Sequence, residues 1–307
     1  MHARQSLLKS SVMGIRTKTI KSSLLAISIA LITAPVQASE KGVLKELKED
    51  IAEGKEKLKK SAESPEDNSS QGSDLSTNNY YSEDASSDLN ELQARIIYEL
   101  IRAPFWIPLV ITNDQYGAHL YWAEYPYAAR YKGFASHEEK EGFRDFHLRV
   151  SSEASWRRGN LMHGALNVAF ASGSRFELIL DHKLYIEGFD LKNEKLNITN
   201  MDLNYLFAVG THGQFRIGLG YMGLFEQNIR DSGIHLTYGF DLFIHRPIVL
   251  SVMTSIGQYV ESGMGSAKVR ATFGALYRNA ELFLGYDGHR IGARSLSGPV
   301  AGLRLYF

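Results

Sequence analysis

The chain has 307 residues, and its 34 basic and 34 acidic side chains cancel, so no long-range field favours a nucleic-acid partner. The absence of cysteine excludes disulfides, thiolate metal sites and a cysteine nucleophile. The 16 tyrosines and only 7 prolines favour a strand-rich chain over a helical bundle.

The N-terminus has the pattern of an export signal. Residues 1–23 are basic and contain no acidic residue, and residues 24–34, LLAISIALITA, form an apolar core that is short for a membrane span. The small residues of VQA then predict cleavage after Ala38, so that residues 1–38 form a signal peptide. An uncleaved anchor is the alternative interpretation.

Residues 39–86 are predicted to be a charged helix followed by a disordered linker. The helix would extend to about residue 63, with a thin apolar stripe of Leu44, Leu47, Ile51 and Leu58. The segment that follows has almost nothing to bury. It reads as a periplasmic spacer or, alternatively, as part of an arm, residues 39–104, that contacts another envelope protein.

Residues 87–142 are predicted to hold a second helix and an aromatic-rich segment before the main domain. Ser87 is a candidate helix cap, and Pro104 is expected to end the helix. We expect short strands at 107–112 and 118–124, and we expect the segment to act as a plug or seam cover for the domain that follows.

In residues 143–307, apolar and polar side chains alternate with period two, which is typical of half-buried strands. Most of the segments have the ~9–11 residues that a tilted strand needs to cross a bilayer. The ten predicted strands are 143–156, 160–171, 175–187, 196–209, 213–226, 234–245, 247–260, 267–279, 280–291 and 299–307.

The connections between these strands are sorted by length. From the second connection onward, short turns such as GTHG and RP alternate with longer loops such as GFDLKNEK and QNIRDSG. An even number of antiparallel strands with short turns at one end is the pattern of a membrane barrel. A soluble sandwich gives no reason for such sorting.

The two faces of the predicted strands differ in polarity, and this difference also favours a membrane barrel. One face is apolar, as in Phe215, Ile217 and Leu219, and the opposite face carries many charges. In hydrocarbon every backbone amide needs a partner, so a lipid-facing sheet has to close. The predicted fold is therefore all-β, a ten-stranded antiparallel transmembrane up-and-down barrel behind a short helical or disordered periplasmic region. A soluble sandwich or lipocalin-like barrel is the alternative. His182 lies on the apolar face, and a bulge or a register slip in the third strand would move it.

The chain ends in GPVAGLRLYF, an alternating strand with a terminal aromatic residue. With the ten alternating segments, this ending resembles bacterial outer-membrane β-barrel proteins as a class, although no motif selects one family. The resemblance implies an exported protein of the outer membrane, surrounded by its lipids. It also implies that Leu303, Leu305 and Phe307 form the signal that the outer-membrane assembly machinery reads.

The inward-facing charges predict the content of the barrel. Ten strands leave little lumen, and buried ions need partners of opposite sign. We therefore predict a salt-bridged interior, with a narrow channel for small polar solutes as the alternative. The predicted network consists of Arg149, Glu153, Glu177, Asp181, Lys183, Asp202, Arg216, Asp241, Lys268, Arg270 and Arg304.

Asp287 and His289, in the sequence YDGHR, are weak catalytic candidates. A carboxylate can orient a histidine as a general base, and the pair resembles the Asp–His pair of the ten-stranded omptin proteases. Omptin strands extend far beyond the membrane, however, and no second close aspartate pair is present here. No metal-binding motif, phosphate loop or cofactor site is evident.

The sequence thus favours a structural, binding or assembly role in the envelope over catalysis. A narrow channel is the second hypothesis, and an outer-membrane hydrolase using Asp287 and His289 is the third.

Overall fold

The computed structural model describes residues 42–63, 102–114, 117–128, 133–157, 160–188, 194–226 and 229–307. The predicted signal peptide with Ala38, the predicted linker and most of the predicted second helix lie outside these residues. Helix α1 spans Val43–Glu63, and residues 102–112 are helical and are called α2. Neither of these two described helices is both long enough and apolar enough to span a bilayer.

Ten strands form a closed antiparallel barrel, which confirms the predicted fold. Each strand pairs with its sequence neighbour, and the sheet closes through pairing of the first barrel strand with the last. The barrel strands are β3 (Phe146–Arg157), β4 (Leu161–Ser172), β5 (Phe176–Glu187), β6 (Glu194–Gly210), β7 (Gly213–Phe225), β8 (Arg230–His245), β9 (Ile248–Tyr259), β10 (Gly265–Tyr277), β11 (Ala280–Ile291) and β13 (Gly298–Tyr306). The shorter strands are β1 (Tyr121–Trp122), β2 (Ala135–Ser136) and β12 (Arg294–Ser295).

The seam of the barrel lies between β3 and β13. Their register runs from Val300 opposite Ser155 to Tyr306 opposite Arg149. The backbone of Phe307 extends the ladder, because its N–H donates to the carbonyl of Leu148 at 2.9 Å. The final residues are therefore the closing strand of the sheet.

The alternation predicted from the sequence separates an apolar exterior from a charged interior. His182 lies on the exterior, and its Nδ1 is 2.9 Å from the hydroxyl of Thr199 on β6. β5 pairs without a bulge or a register shift, so neither moves His182 off the exterior, and a hydrogen bond accommodates the ring instead. Outward-facing exposed residues include Leu166, Leu180, Leu203, Leu219, Leu236, Ile256, Leu282 and Leu284.

The barrel has two unlike ends. We call the end with connections 173–175, 211–212, 246–247 and 278–279 the short-turn end. The long-loop end has connections 158–160, 188–193, 226–229, 260–264 and 292–297. α1 packs across the long-loop end, whereas residues 117–128 and 133–144 pack on the short-turn end.

α2 lies against the outer wall of β6–β8 and corrects two expectations. Residues 107–112 are helical, so the predicted strand is wrong, and the helix continues through Pro104. Pro108 has no N–H to donate to the carbonyl of Pro104 four residues earlier. The hydroxyl of Tyr238 on β8 donates to that carbonyl at 2.8 Å. A contact with the barrel thus satisfies the backbone of a helix that local sequence rules disfavour.

Candidate functional site

The lumen is filled by ion pairs, which form separate groups along the barrel. Nearest the short-turn end, the guanidinium of Arg216 lies between Glu177, at 2.9 Å from Oε2, and Asp241. Arg149 lies 3.3 Å from the same Asp241 oxygen and 3.5 Å from Oε1 of Glu177. The amide of Gln214 donates to Asp241 at 2.7 Å. Two cations thus share two carboxylates, as burial requires.

A second group lies beside the seam. Arg304 donates to Oε1 of Glu281 at 2.9 Å, and its guanidinium carbon is 4.9 Å from the ring centre of Phe283. The hydroxyl of Tyr306 donates to the other oxygen of Glu281 at 2.5 Å. Glu281 is absent from the network predicted from the sequence, although it has the same inward parity on β11 as Asp287. This shared parity is the sequence pattern from which the inward position of Glu281 could have been predicted.

A third group occupies the middle of the lumen and its long-loop half. Arg270 forms a bidentate ion pair with Glu153, with 2.9 Å between Nη1 and Oε1. The ammonium of Lys268 lies 2.8 Å from Asp181. Lys183 pairs closely with Asp287, and both side chains are fully buried.

Asp202 on β6 is paired with a histidine. Nε2 of His235 lies 2.5 Å from Oδ1 of Asp202. With this pair, every residue of the predicted charge network has an ionic partner of opposite sign or a histidine. The pairs are Arg149 and Arg216 with Glu177 and Asp241, Arg270 with Glu153, Lys268 with Asp181, Lys183 with Asp287, Arg304 with Glu281, and Asp202 with His235.

Two of the small cavities in the described part of the lumen lie between the ion pairs. The larger has a volume of about 60 Å³ and is lined by charged residues of all three groups. The smaller, about 10 Å³, lies beside Asp202, His235 and His289. A water molecule needs roughly 10–15 Å³ on this measure. The two cavities therefore have room for a few waters and are far too small for a continuous pore.

The weak catalytic candidates point into this lumen but contact different partners. Asp287 is bound to Lys183, and Nε2 of His289 lies 3.3 Å from the hydroxyl of Ser266. A catalytic pair needs the carboxylate to orient the base. Here the nearest cation binds the carboxylate, so the arrangement suits an ion pair better than a general base.

Glu153, His163 and Asp287 have potential metal-ligand atoms within 4.8 Å of one another, and they form the metal-type grouping found among the described residues. Arg270 already binds Glu153, and Lys183 binds Asp287. A divalent cation at this point would face both of these positive charges. The geometry therefore favours the ion pairs over a metal centre.

α1 covers the long-loop end through an apolar stripe. Leu44, Leu47 and Ile51 are fully buried against a cluster at the strand ends that includes Tyr185 and Tyr259. The helix approaches the β9–β10 loop closely at Gly54, where a Cβ would lie 2.6 Å from the carbonyl oxygen of Ser262. Most of the stripe predicted for this helix is thus used within the chain.

Charged contacts surround this stripe. The carboxylate of Glu187 accepts the backbone N–H groups of Val43 and Leu44, both at 2.7 Å, and so caps the helix. Lys48 pairs with Glu194 and Glu226. Burial opposes the charge of Lys48, but the two carboxylates outweigh this effect and raise its pKa above the ordinary value.

Arg294, on β12, forms further ion pairs with α1. Its Nε donates to Oδ2 of Asp50 at 2.7 Å, and it also binds Glu46. Both carboxylates belong to α1, so the helix is held by its partners on opposite sides of the mouth.

The cover at the short-turn end is aromatic. Trp122 is fully buried, with its ring centre 4.3 Å from that of His147 and 5.3 Å from that of Phe134. The hydroxyl of Tyr127 donates to the carbonyl of Ile248 at 2.6 Å. Burial, with a smaller effect from the charge of Glu281, raises the pKa of Tyr127 to about 12.

Known proteins show only a distant likeness to this chain. No family model and no curated protein sequence matches it. Among solved structures it is similar to CdiB from Acinetobacter baumannii, with 11% identity, a TM-score of 0.26, and coverage of 56% of this chain and 43% of CdiB. The chain thus spans less than half of that protein, and a likeness of this size carries no information on activity or partners.

Proposed function

We propose that the protein is an outer-membrane β-barrel with a structural, binding or assembly role in the envelope. The observation that carries the proposal is the inverted arrangement of its faces. Charges are buried in pairs inside, while the exterior is a continuous belt of exposed leucine, isoleucine and aromatic side chains. Such a belt is unfavourable in water but suits contact with acyl chains. A soluble lipocalin-like barrel would have the opposite arrangement.

Heat-modifiable migration on a gel tests the membrane barrel. Unboiled protein extracted from membranes in detergent should migrate apart from boiled protein, since closed membrane barrels resist unfolding by detergent. Solubility without detergent, together with a single band position, would contradict the proposal.

The filled lumen supports a closed barrel over a channel. Among the described residues, ion pairs occupy the lumen around the two small cavities, and covers lie across both ends. In planar bilayers we expect folded protein to give no stepwise conductance. Reproducible single-channel steps that disappear when the protein is boiled beforehand would favour the narrow channel instead.

The final strand supports a role for the C-terminus in assembly. Leu303 and Phe307 are exposed on the exterior, whereas Arg304 is buried in the lumen. The strand therefore has an apolar outward face that ends in an aromatic ring. We propose that Leu303, Leu305 and Phe307 are read by the assembly machinery. Phe307→Ser should lower the folded fraction in cells more than it lowers the stability of purified, refolded protein.

The N-terminal arm, residues 39–104, is proposed to contact another envelope component. The apolar stripe of α1 is occupied, so a partner would meet its charged outer face, for example around Glu53 and Lys57. Membrane barrels of this kind keep their longer loops outside the cell. α1 docked on the long-loop end would then face outward, not toward the periplasm.

Labelling of a single introduced thiol can show on which side of the outer membrane α1 lies. The chain contains no cysteine, so Glu53→Cys introduces the only reactive thiol. A membrane-impermeant maleimide should label it on intact cells if α1 covers the outer mouth, and only after permeabilisation if the arm is periplasmic. Crosslinking from the same position would then identify the partner on the correct side.

A further inference from the structure

α2 has one side occupied by the barrel wall. Phe105 packs on Phe207 and Tyr238, with ring-centre distances of 5.8 and 6.5 Å. Leu109 lies against the same outward cluster on β6–β8. The Tyr238 hydroxyl also holds the Pro104 carbonyl. The helix is thus fixed to the outside of the barrel by a specific set of contacts.

The other side of α2 is apolar and exposed. Trp106 is 44% exposed, Val110 50% and Ile111 54%. Together with the exposed part of Phe105 they form an apolar surface, and exposed Arg102 lies one turn before Trp106 at the N-terminal end of this surface. The outward side of β6, on which α2 packs at Phe207, also carries Leu203, which is 54% exposed. In water, an apolar surface of this kind would be unfavourable.

The C-terminal end of α2 is anchored at the short-turn end. A Cβ at Gly210 would lie 2.3 Å from the carbonyl oxygen of Thr112, so only glycine permits this approach. Asp114 binds Arg175 through two hydrogen bonds of 2.7 and 2.8 Å and accepts the backbone N–H of Val209 at 3.0 Å. α2 therefore leads directly from the outer wall to the cover of the short-turn end.

We propose that α2 is a lipid-contacting helix embedded in the leaflet on the short-turn side. Phe105, Trp106, Val110 and Ile111 would contact acyl chains near the membrane–water interface, where tryptophan is favoured. The polar anchor at Asp114 marks where the chain leaves the lipid. The proposal rests on the proposed membrane barrel, and it assigns to α2 the role of tethering the aromatic cover to the bilayer.

The three tryptophans allow a direct test. Trp106 is on α2, Trp122 is fully buried in the short-turn cover, and Trp156 is 58% exposed at the long-loop end of β3. Full-length variants that keep one tryptophan, with the other two changed to phenylalanine, are reconstituted in vesicles containing lipids brominated on their acyl chains. The heat-modifiable band verifies folding of each variant.

We expect bromolipid to quench Trp106 to an extent similar to Trp156 and to leave Trp122 nearly unchanged. Quenching of Trp156 without quenching of Trp106 would overturn the lipid contact of α2 while supporting the membrane barrel. A folded protein in which neither is quenched would contradict the membrane barrel itself. The two proposals therefore fail in distinguishable ways.

Discussion

The two ends of the barrel are closed by different chemistry. At the short-turn end, the cover is a cluster of aromatic rings in residues that run directly into β3. At the long-loop end, a helix remote in sequence from the barrel is held by three apolar side chains and a ring of charged contacts. The first cover should unfold with the barrel, whereas the second should detach while the barrel stays folded.

The largest effect is expected from Trp122→Ala in the aromatic cover. Removing a fully buried tryptophan leaves a cavity beside Phe134 and His147, and such changes cost about 3–5 kcal/mol. Urea unfolding of the refolded protein should report this loss as a shift of the main barrel transition.

Trp156→Ala is the matched control for this change. Trp156 is exposed on the exterior at the other end of the barrel, so its removal creates no internal cavity. If both variants shift the transition equally, the short-turn cover is not part of the cooperative core.

A smaller and more local effect is expected from Leu47→Ala in α1. Leu47 is fully buried at the mouth, and loss of a buried leucine side chain costs about 2–3 kcal/mol at the lower end of its usual range. The barrel transition should not move, because the cost falls on helix docking. Trypsin cleavage of α1 at Lys57 should instead accelerate roughly 30- to 150-fold.

Leu58→Ala provides the comparison, since Leu58 lies on the same helix but is 44% exposed. Its effect on cleavage should be several-fold smaller. A shift of the barrel transition by Leu47→Ala would show that α1 folds as one unit with the barrel.

The barrel itself could be predicted from the sequence because period-two alternation, turn lengths and inward charges all describe one repeated geometry. The placement of the covers could not, because it depends on contacts between distant segments. α2 shows the reason: Pro104 and Pro108 disfavour a helix locally, yet Tyr238, on β8, supplies the missing donor. No pattern within residues 102–112 contains that information.

In the lumen, too, some features could be predicted from the sequence and others could not. Inward parity relates the predicted charges to one another along each strand and also applies to Glu281, but the choice of partners requires the register and shear of the closed sheet. Asp287 illustrates this, because its neighbour in sequence, His289, is not its ionic partner. That partner is Lys183 on β5, a strand with which β11 does not pair.

The smallest effect is expected from Lys48→Met, which removes the pairs with Glu194 and Glu226. Pairs near the surface contribute about 0–1 kcal/mol, so cleavage of α1 at Lys57 should accelerate at most about fivefold near neutral pH. The pKa of Lys48 is raised in the folded protein, so its contribution is fully present below the ordinary value of 10.5 and is lost as pH rises through the folded pKa. The difference in cleavage rate between wild type and Lys48→Met should therefore be constant from neutral pH to about 10 and should disappear at higher pH.

Added salt should also reduce this difference in cleavage rate, whereas it should leave the effect of Trp122→Ala on stability unchanged, because only the long-loop cover depends on exposed charge. A salt-independent Lys48→Met effect would indicate that the methylene stem of Lys48, and not its charge, holds the helix.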